Sequence, residues 1–180
     1  MATAGQRPGG AGTVGIPDAG EYRIDAERSA ISFTTRHLFG LAPVHGTFRL
    51  REGHLRVGDP VSGSAARATV SAASVDTGNA QRDASVRSAT YLDAEAHPDI
   101  TFASTGLARA DGHWTLHGDL TVRGRTRPVA LRIDSAHPDG GRVRLGATCE
   151  VDRYEFGITA MRGMTGRRLT LRLDVTAERT

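Results

Sequence analysis

Histidine, cysteine, arginine and carboxylate side chains are the groups through which this 180-residue chain could do chemistry, and their spacing narrows what that chemistry is. His113 and His117 are four apart, which on a helix would place them on one face as a metal-ligand pair. The surrounding residues alternate as a strand, where that spacing separates them by about 13 Å, too far to share one ion. They also stand on the parity opposite to Trp114 and Leu116, so they are read as surface residues. Cys149 is the single cysteine and has no disulfide partner within the chain; on a row of alternating apolar residues it is read as packing and not as a nucleophile. Arg82 and Asp83 could form a lid contact or bind a phosphate or an electron-rich carbonyl oxygen, but are read first as a structural ion pair or cap. Arg153 and Glu155, on either side of Tyr154, are read as a structural corner. His37 could hydrogen-bond the polar end of a ligand, or be a buried histidine satisfied by backbone. All the basic residues are arginine, which excludes a lysine Schiff base and a GxxxxGK[ST] phosphate loop, and no GxSxG elbow occurs. No catalytic residue, metal or cofactor is therefore assigned.

The net charge is only +3, and the arginines mostly alternate with apolar residues, as in Arg142-Val143-Arg144-Leu145, the pattern of solvated outer strand faces. The densest basic cluster, Arg123-Gly124-Arg125-Thr126-Arg127, falls at an expected hairpin tip and lacks interleaved aromatics for base stacking, so nucleic acid is not an expected partner. Residues 1–20 show no periodicity and are expected to be a flexible tail preceding one domain at 21–180. They contain no apolar signal core, and no later run approaches the length of a transmembrane helix, so a cytoplasmic location is expected.

Those side chains must be positioned by strands. Period-two alternation marks eight of them: Tyr22–His37, Val44–Val57, Gly63–Asp76, Ile100–Ala110, His113–Arg123, Arg127–Ala136, Arg142–Asp152 and Arg168–Ala177. Asp111-Gly112 and Gly140-Gly141 suit tight hairpin turns. Between the third and fourth strands alternation stops, and Gly78–Asp93 has room for a short helix capped by Asp76 or Thr77. A meander of eight antiparallel strands has two unpaired edges unless it closes, so the expected fold is all-β, an eight-stranded up-and-down barrel. Parity turns Ile31, Phe33 and His37 inward together, likewise Trp114, Leu116 and Leu120, and Val143, Leu145, Ala147, Cys149 and Val151. Gly46, Gly118 and Ala147 in these rows are small, and aromatic residues make up only 5% of the chain, which favours a barrel holding a ligand over one filled by its own side chains. Phe156, Ile158, Met161 and Met164 form an adaptable apolar patch among Gly157, Gly163 and Gly166, suited to a mobile mouth or to an ordinary packed loop.

Four stretches together resemble the YceI-like family over nearly the whole of 22–178. They are Tyr22-Arg23-Ile24-Asp25 with Ser29–Phe33; Ser74-Val75-Asp76-Thr77 leading through Arg82-Asp83 to Pro98–Phe102; Gly118–Gly124 with Thr126–Val129; and Asp152–Ile158. The chain departs from the family pattern at Arg28, where histidine is common, and at Tyr91-Leu92, where two phenylalanines are common. The resemblance implies a lipocalin-like barrel whose apolar tunnel holds a polyisoprenoid chain of polyprenyl or isoprenoid-quinone type. Many members of the family are exported. The residues expected to meet the ligand are Ile31, Phe33, Phe48, Trp114, Leu116 and Leu120 along the tunnel, His37 at its polar end, and Phe156, Ile158, Met161 and Met164 at the mouth. A cyclase or isomerase using the same cavity, and a structural or stress-response module with a filled barrel, are the alternatives; self-association into a homodimer stays open.

Overall fold

In the computed structural model, which describes residues 12–180, the alternating segments form ten strands and one helix. They are β1 (Gly20–Ile24), β2 (Ala30–His37), β3 (Ala42–Phe48), β4 (Leu50–Val57), β5 (Ala65–Ser71), α1 (Ala80–Arg87), β6 (Asp99–Ala110), β7 (His113–Val122), β8 (Arg125–Asp139), β9 (Arg142–Asp152) and β10 (Arg168–Arg179). Neighbouring strands are antiparallel, in the order β1-β4-β5-β6-β7-β8-β9-β10-β2-β3, and a β1–β10 pairing closes the ring. The expected eight-stranded barrel is therefore present. β1 and β2 are two halves of its first strand, and β3 and β4 of its second.

Each of these two strands is interrupted, because side chains there compete with the ladder for backbone groups. The Asp25 carboxylate accepts the N–H groups of Glu27 (3.0 Å) and Arg28 (3.1 Å), turning the chain before β2. The Ser29 hydroxyl then repairs the seam by accepting the Thr176 N–H at 3.1 Å, so β10 runs unbroken past both halves, pairing Ile24 with Ala177 and Ile31 with Leu173. Between β3 and β4, the Arg49 N–H is drawn to the Ser74 hydroxyl at 2.7 Å. Three two-residue turns, Asp111-Gly112, Arg123-Gly124 and Gly140-Gly141, have positive φ at both positions, the geometry that matches the twist of a tight hairpin.

β3 does not continue the ladder to β5; its outer edge meets Asp76, through paired Thr47–Asp76 backbone bonds of 2.9 and 3.0 Å. The segment carrying α1 lies beyond it. Asn79, not Asp76 or Thr77, caps α1 by accepting the Arg82 N–H, while buried Asp83 accepts both the N–H and the hydroxyl of Thr77. Asp83 is thus a structural clamp. Of the expected tail, residues 1–11 lie outside the described residues. The stretch after them is ordered on the barrel: Gly15 N–H donates to the Ala136 carbonyl at 2.8 Å and Ala136 N–H to that of Thr13 at 3.1 Å. So short a crossing, one parallel bridge long, leaves no periodicity in sequence.

Candidate ligand cavity

The inward rows enclose a cavity of about 250 Å³, walled almost entirely by aliphatic and aromatic side chains from every barrel strand. Ile31, Phe48, Leu116 and Leu120 border it, as do Ala147, Cys149 and Val151 of β9 and Leu169, Leu171, Leu173 and Val175 of β10. One end is closed by a buried apolar cluster of Ala72, Leu92, Ala94, Val122, Phe156 and Ile158, with Tyr91 and Phe48 packed on it. Towards the other end lies a smaller apolar space that shares Leu55, Leu116, Ile133 and Leu145 with the main cavity and is bordered by Trp114 and by Val14–Pro17.

The residues expected from sequence to meet a ligand are therefore divided. Ile31, Phe48, Leu116 and Leu120 border the main cavity, and Phe156 and Ile158 border its closed end. Trp114 belongs to the smaller space at the far end, where Arg109 lies 5.7 Å from its ring centroid. Phe33 is buried but turned to the backbone of Gly46, across the β2–β3 pair, with its ring 5.5 Å from that of Phe48. His37 is half-buried at the end of β2, bridged to Thr165, and does not border the cavity. Met161 is exposed and Met164 half-buried in the loop outside.

Two of the small residues expected to leave space do not. A Cβ on Gly46 would overlap the Phe33 ring, and one on Gly118 would overlap the Phe102 ring, so aromatic side chains from the neighbouring strands already occupy those places. Ala147 does open onto the cavity. Strict parity also misses part of the wall, because β4, β6 and β8 each carry a bulge, at Leu50/Glu52, Ser104/Gly106 and Ile133/Ser135. An extra residue reverses which side chains face inward beyond it. Leu50 and Leu55, of opposite parity, consequently both reach the cavity; beyond their bulges, Leu107 and Ala136 join the wall of the smaller space.

The group that sequence assigned only to a structural corner, Arg153, is the charge at the closed end. It borders the cavity and is 5% exposed. Its guanidinium donates to three carbonyls, Ile158 at 2.7 Å, Gly166 at 2.8 Å and Thr165 at 3.0 Å, and lies 4.9 Å from the Tyr154 ring and 5.9 Å from that of Tyr91. No carboxylate among the described residues pairs with it, since adjacent Asp152 is bound by Arg167 at 2.7 Å. Burial lowers the Arg153 pKa from its ordinary value, while the hydrogen bond from Arg167 holds the Asp152 carboxyl below the usual carboxylate range. In sequence Arg153 is marked only by its place directly after the last β9 residue, in the stretch read as a structural corner. Cys149, on the cavity wall, has its thiol pushed up to about 11 by burial.

Three comparisons bear on this architecture. The family model described as the YceI-like domain matches residues 22–177. The protein YceI of Salmonella arizonae is 31% identical over 171 residues, which cover 91% of this chain and 89% of that one, and the protein YceI of Salmonella paratyphi B matches to the same extent. Among solved structures, BcnA of Burkholderia cenocepacia is similar with a TM-score of 0.77 at 19% identity, covering 85% of this chain and 98% of that one. A polyisoprenoid binding domain from Saccharophagus degradans, implicated in plant cell wall breakdown, is similar with a TM-score of 0.68 at 13% identity, covering 88% and 98%.

Proposed function

The chain belongs to the YceI-like domain family, and from that membership and the cavity we propose that it binds and carries one long apolar lipid of polyisoprenoid type inside the barrel. The observation that carries this reading is an apolar cavity extending along the barrel with one buried, carboxylate-free guanidinium at its closed end. The description of the Saccharophagus degradans domain as polyisoprenoid-binding supports the choice of lipid. Burying one isoprene unit of about five carbons is worth up to about 3–4 kcal/mol against water. A lipid leaving a membrane has already gained most of that, so selectivity falls to the shape of the wall and to the polar end. Arg153 supplies a positive charge for a hydroxyl, carbonyl or phosphate there, in place of the His37 contact expected from sequence.

Carriage is favoured over a cyclase or isomerase by the state of the groups beside the cavity. Cys149 keeps its proton well above neutral pH, and the Arg153 guanidinium is committed to three carbonyls, so neither is poised to exchange a proton near pH 7. Native mass spectrometry of the protein expressed in bacteria, followed by solvent extraction, tests the proposal. One prenyl lipid per chain is expected. Protein that emerges ligand-free and takes up no polyprenol overturns it.

A further inference from the structure

Large apolar side chains are normally withdrawn from water, yet at the β2–β3 hairpin Leu38, Phe39 and Leu41 are 44%, 75% and 82% exposed, and Met161 on the adjoining loop is 56% exposed. The two loops are joined by backbone bonds, Leu38 N–H to the Met164 carbonyl at 2.7 Å and Phe39 N–H to the Gly163 carbonyl at 2.8 Å. Leu38, Phe39 and Met161 also hold φ of 52°, 56° and 51°, a left-handed backbone that side-chain-bearing residues adopt only at a cost. Burial does not repay that cost here.

The base of this tip is cationic. Arg36, Arg167 and Arg168 line a groove with Phe39 and Tyr154, and Arg162 lies 5.0 Å from the Tyr154 ring. The acids nearby are Asp152 and Glu155, and Asp152 is taken by Arg167. Arg36, Arg162 and Arg168 form no ion pair among the described residues. An apolar tip with arginines behind it matches the two layers of a bilayer, acyl chains beneath anionic headgroups.

We propose that this end of the barrel docks on bilayers containing anionic phospholipid, with Phe39, Leu41, Leu38 and Met161 entering the boundary of headgroups and acyl chains and Arg36, Arg162 and Arg168 meeting lipid phosphates. The proposal does not depend on what the cavity holds. Co-sedimentation of the full chain with phosphatidylcholine vesicles, with or without about 30% phosphatidylglycerol, tests it. Binding is expected to the anionic vesicles and to weaken with added salt. Phe39→Ser with Leu41→Ser should reduce it by about tenfold or more. Arg36→Gln and Arg168→Gln should each cost about fivefold on anionic vesicles. Arg142→Gln, an exposed arginine beside the Gly140-Gly141 turn at the opposite end of the barrel, should leave vesicle binding unchanged. Absence of binding to anionic vesicles, or binding indifferent to the tip substitutions, overturns the proposal. So does a concentration-dependent dimer in light scattering that the Phe39→Ser variant loses while vesicles are ignored, which would assign the tip to a second copy of the chain.

Discussion

The Phe102 ring occupies the space that a side chain on Gly118 would need: a Cβ there would overlap the ring and lie 2.7 Å from the Ala103 carbonyl oxygen. β6 and β7 pair directly at this point, Ser104 opposite Gly118 and Phe102 opposite Leu120, so the ring leans along the sheet and narrows the cavity beside Gly118. Gly118→Ala should destabilise the barrel by about 1–3 kcal/mol through overpacking, measured as a lower midpoint of urea unfolding. An unchanged midpoint would mean that Phe102 rotates away freely, and that the cavity is larger than it stands here.

Leu116 faces the cavity, whereas His117 on the same strand is exposed. Leu116→Arg should abolish lipid uptake, since a guanidinium without partners is costly to desolvate and also fills chain volume. His117→Arg should not. Lipid co-purifying with folded Leu116→Arg protein would show that the ligand lies elsewhere.

Removing the Arg153 side chain leaves three carbonyls, of Ile158, Thr165 and Gly166, without their donor. Arg153→Met is expected to lower stability by about 2–4 kcal/mol and to increase amide exchange across residues 158–166. Arg153→Lys should recover only part of this, because an ammonium lacks the planar fork that reaches three directions. Full recovery of exchange protection by lysine would reduce the role of Arg153 to charge alone.

The Cys149 thiol, raised from 9.0 to about 11, carries a sign that can be checked. Between those two values the unfolded chain has lost the proton and the folded chain retains it, so stability falls as pH rises from about 9 to about 11, by roughly 2–3 kcal/mol in all. Below pH 9 this contribution is constant. The slope should be shallower in Cys149→Ala, and alkylation of wild-type protein at pH 8 should be slow until it is unfolded. Rapid labelling of the native protein would contradict the assigned burial.

The N-terminal stretch Val14–Pro17 borders the smaller space beside Trp114 and Ala136, at the end of the barrel opposite Arg153. Deleting residues 1–17 should leave the barrel folded but speed ligand exchange, measured by displacement of a fluorescent polyprenyl analogue. No change in rate would place ligand entry at another end.

The positions of the eight barrel strands, their meander order, the tight turns and a helix within Gly78–Asp93 were legible in the sequence, because strand periodicity and turn chemistry are local properties of neighbouring residues; the cap was not, since Asn79 and not Asp76 or Thr77 holds the helix start. On β9, which has no bulge, parity alone placed Leu145, Ala147, Cys149 and Val151 on the wall. Tertiary structure decided what depends on a partner distant in the chain. Bulges on β4, β6 and β8 arise from how each strand meets its neighbours and carry both Leu50 and Leu55 inward. Whether a glycine leaves a void depends on what leans over it, and Phe33 and Phe102 fill the gaps at Gly46 and Gly118. Arg153 becomes a buried charge only when residues 158–166 fold back and offer it their carbonyls, which no spacing between Arg153 and its sequence neighbours can announce.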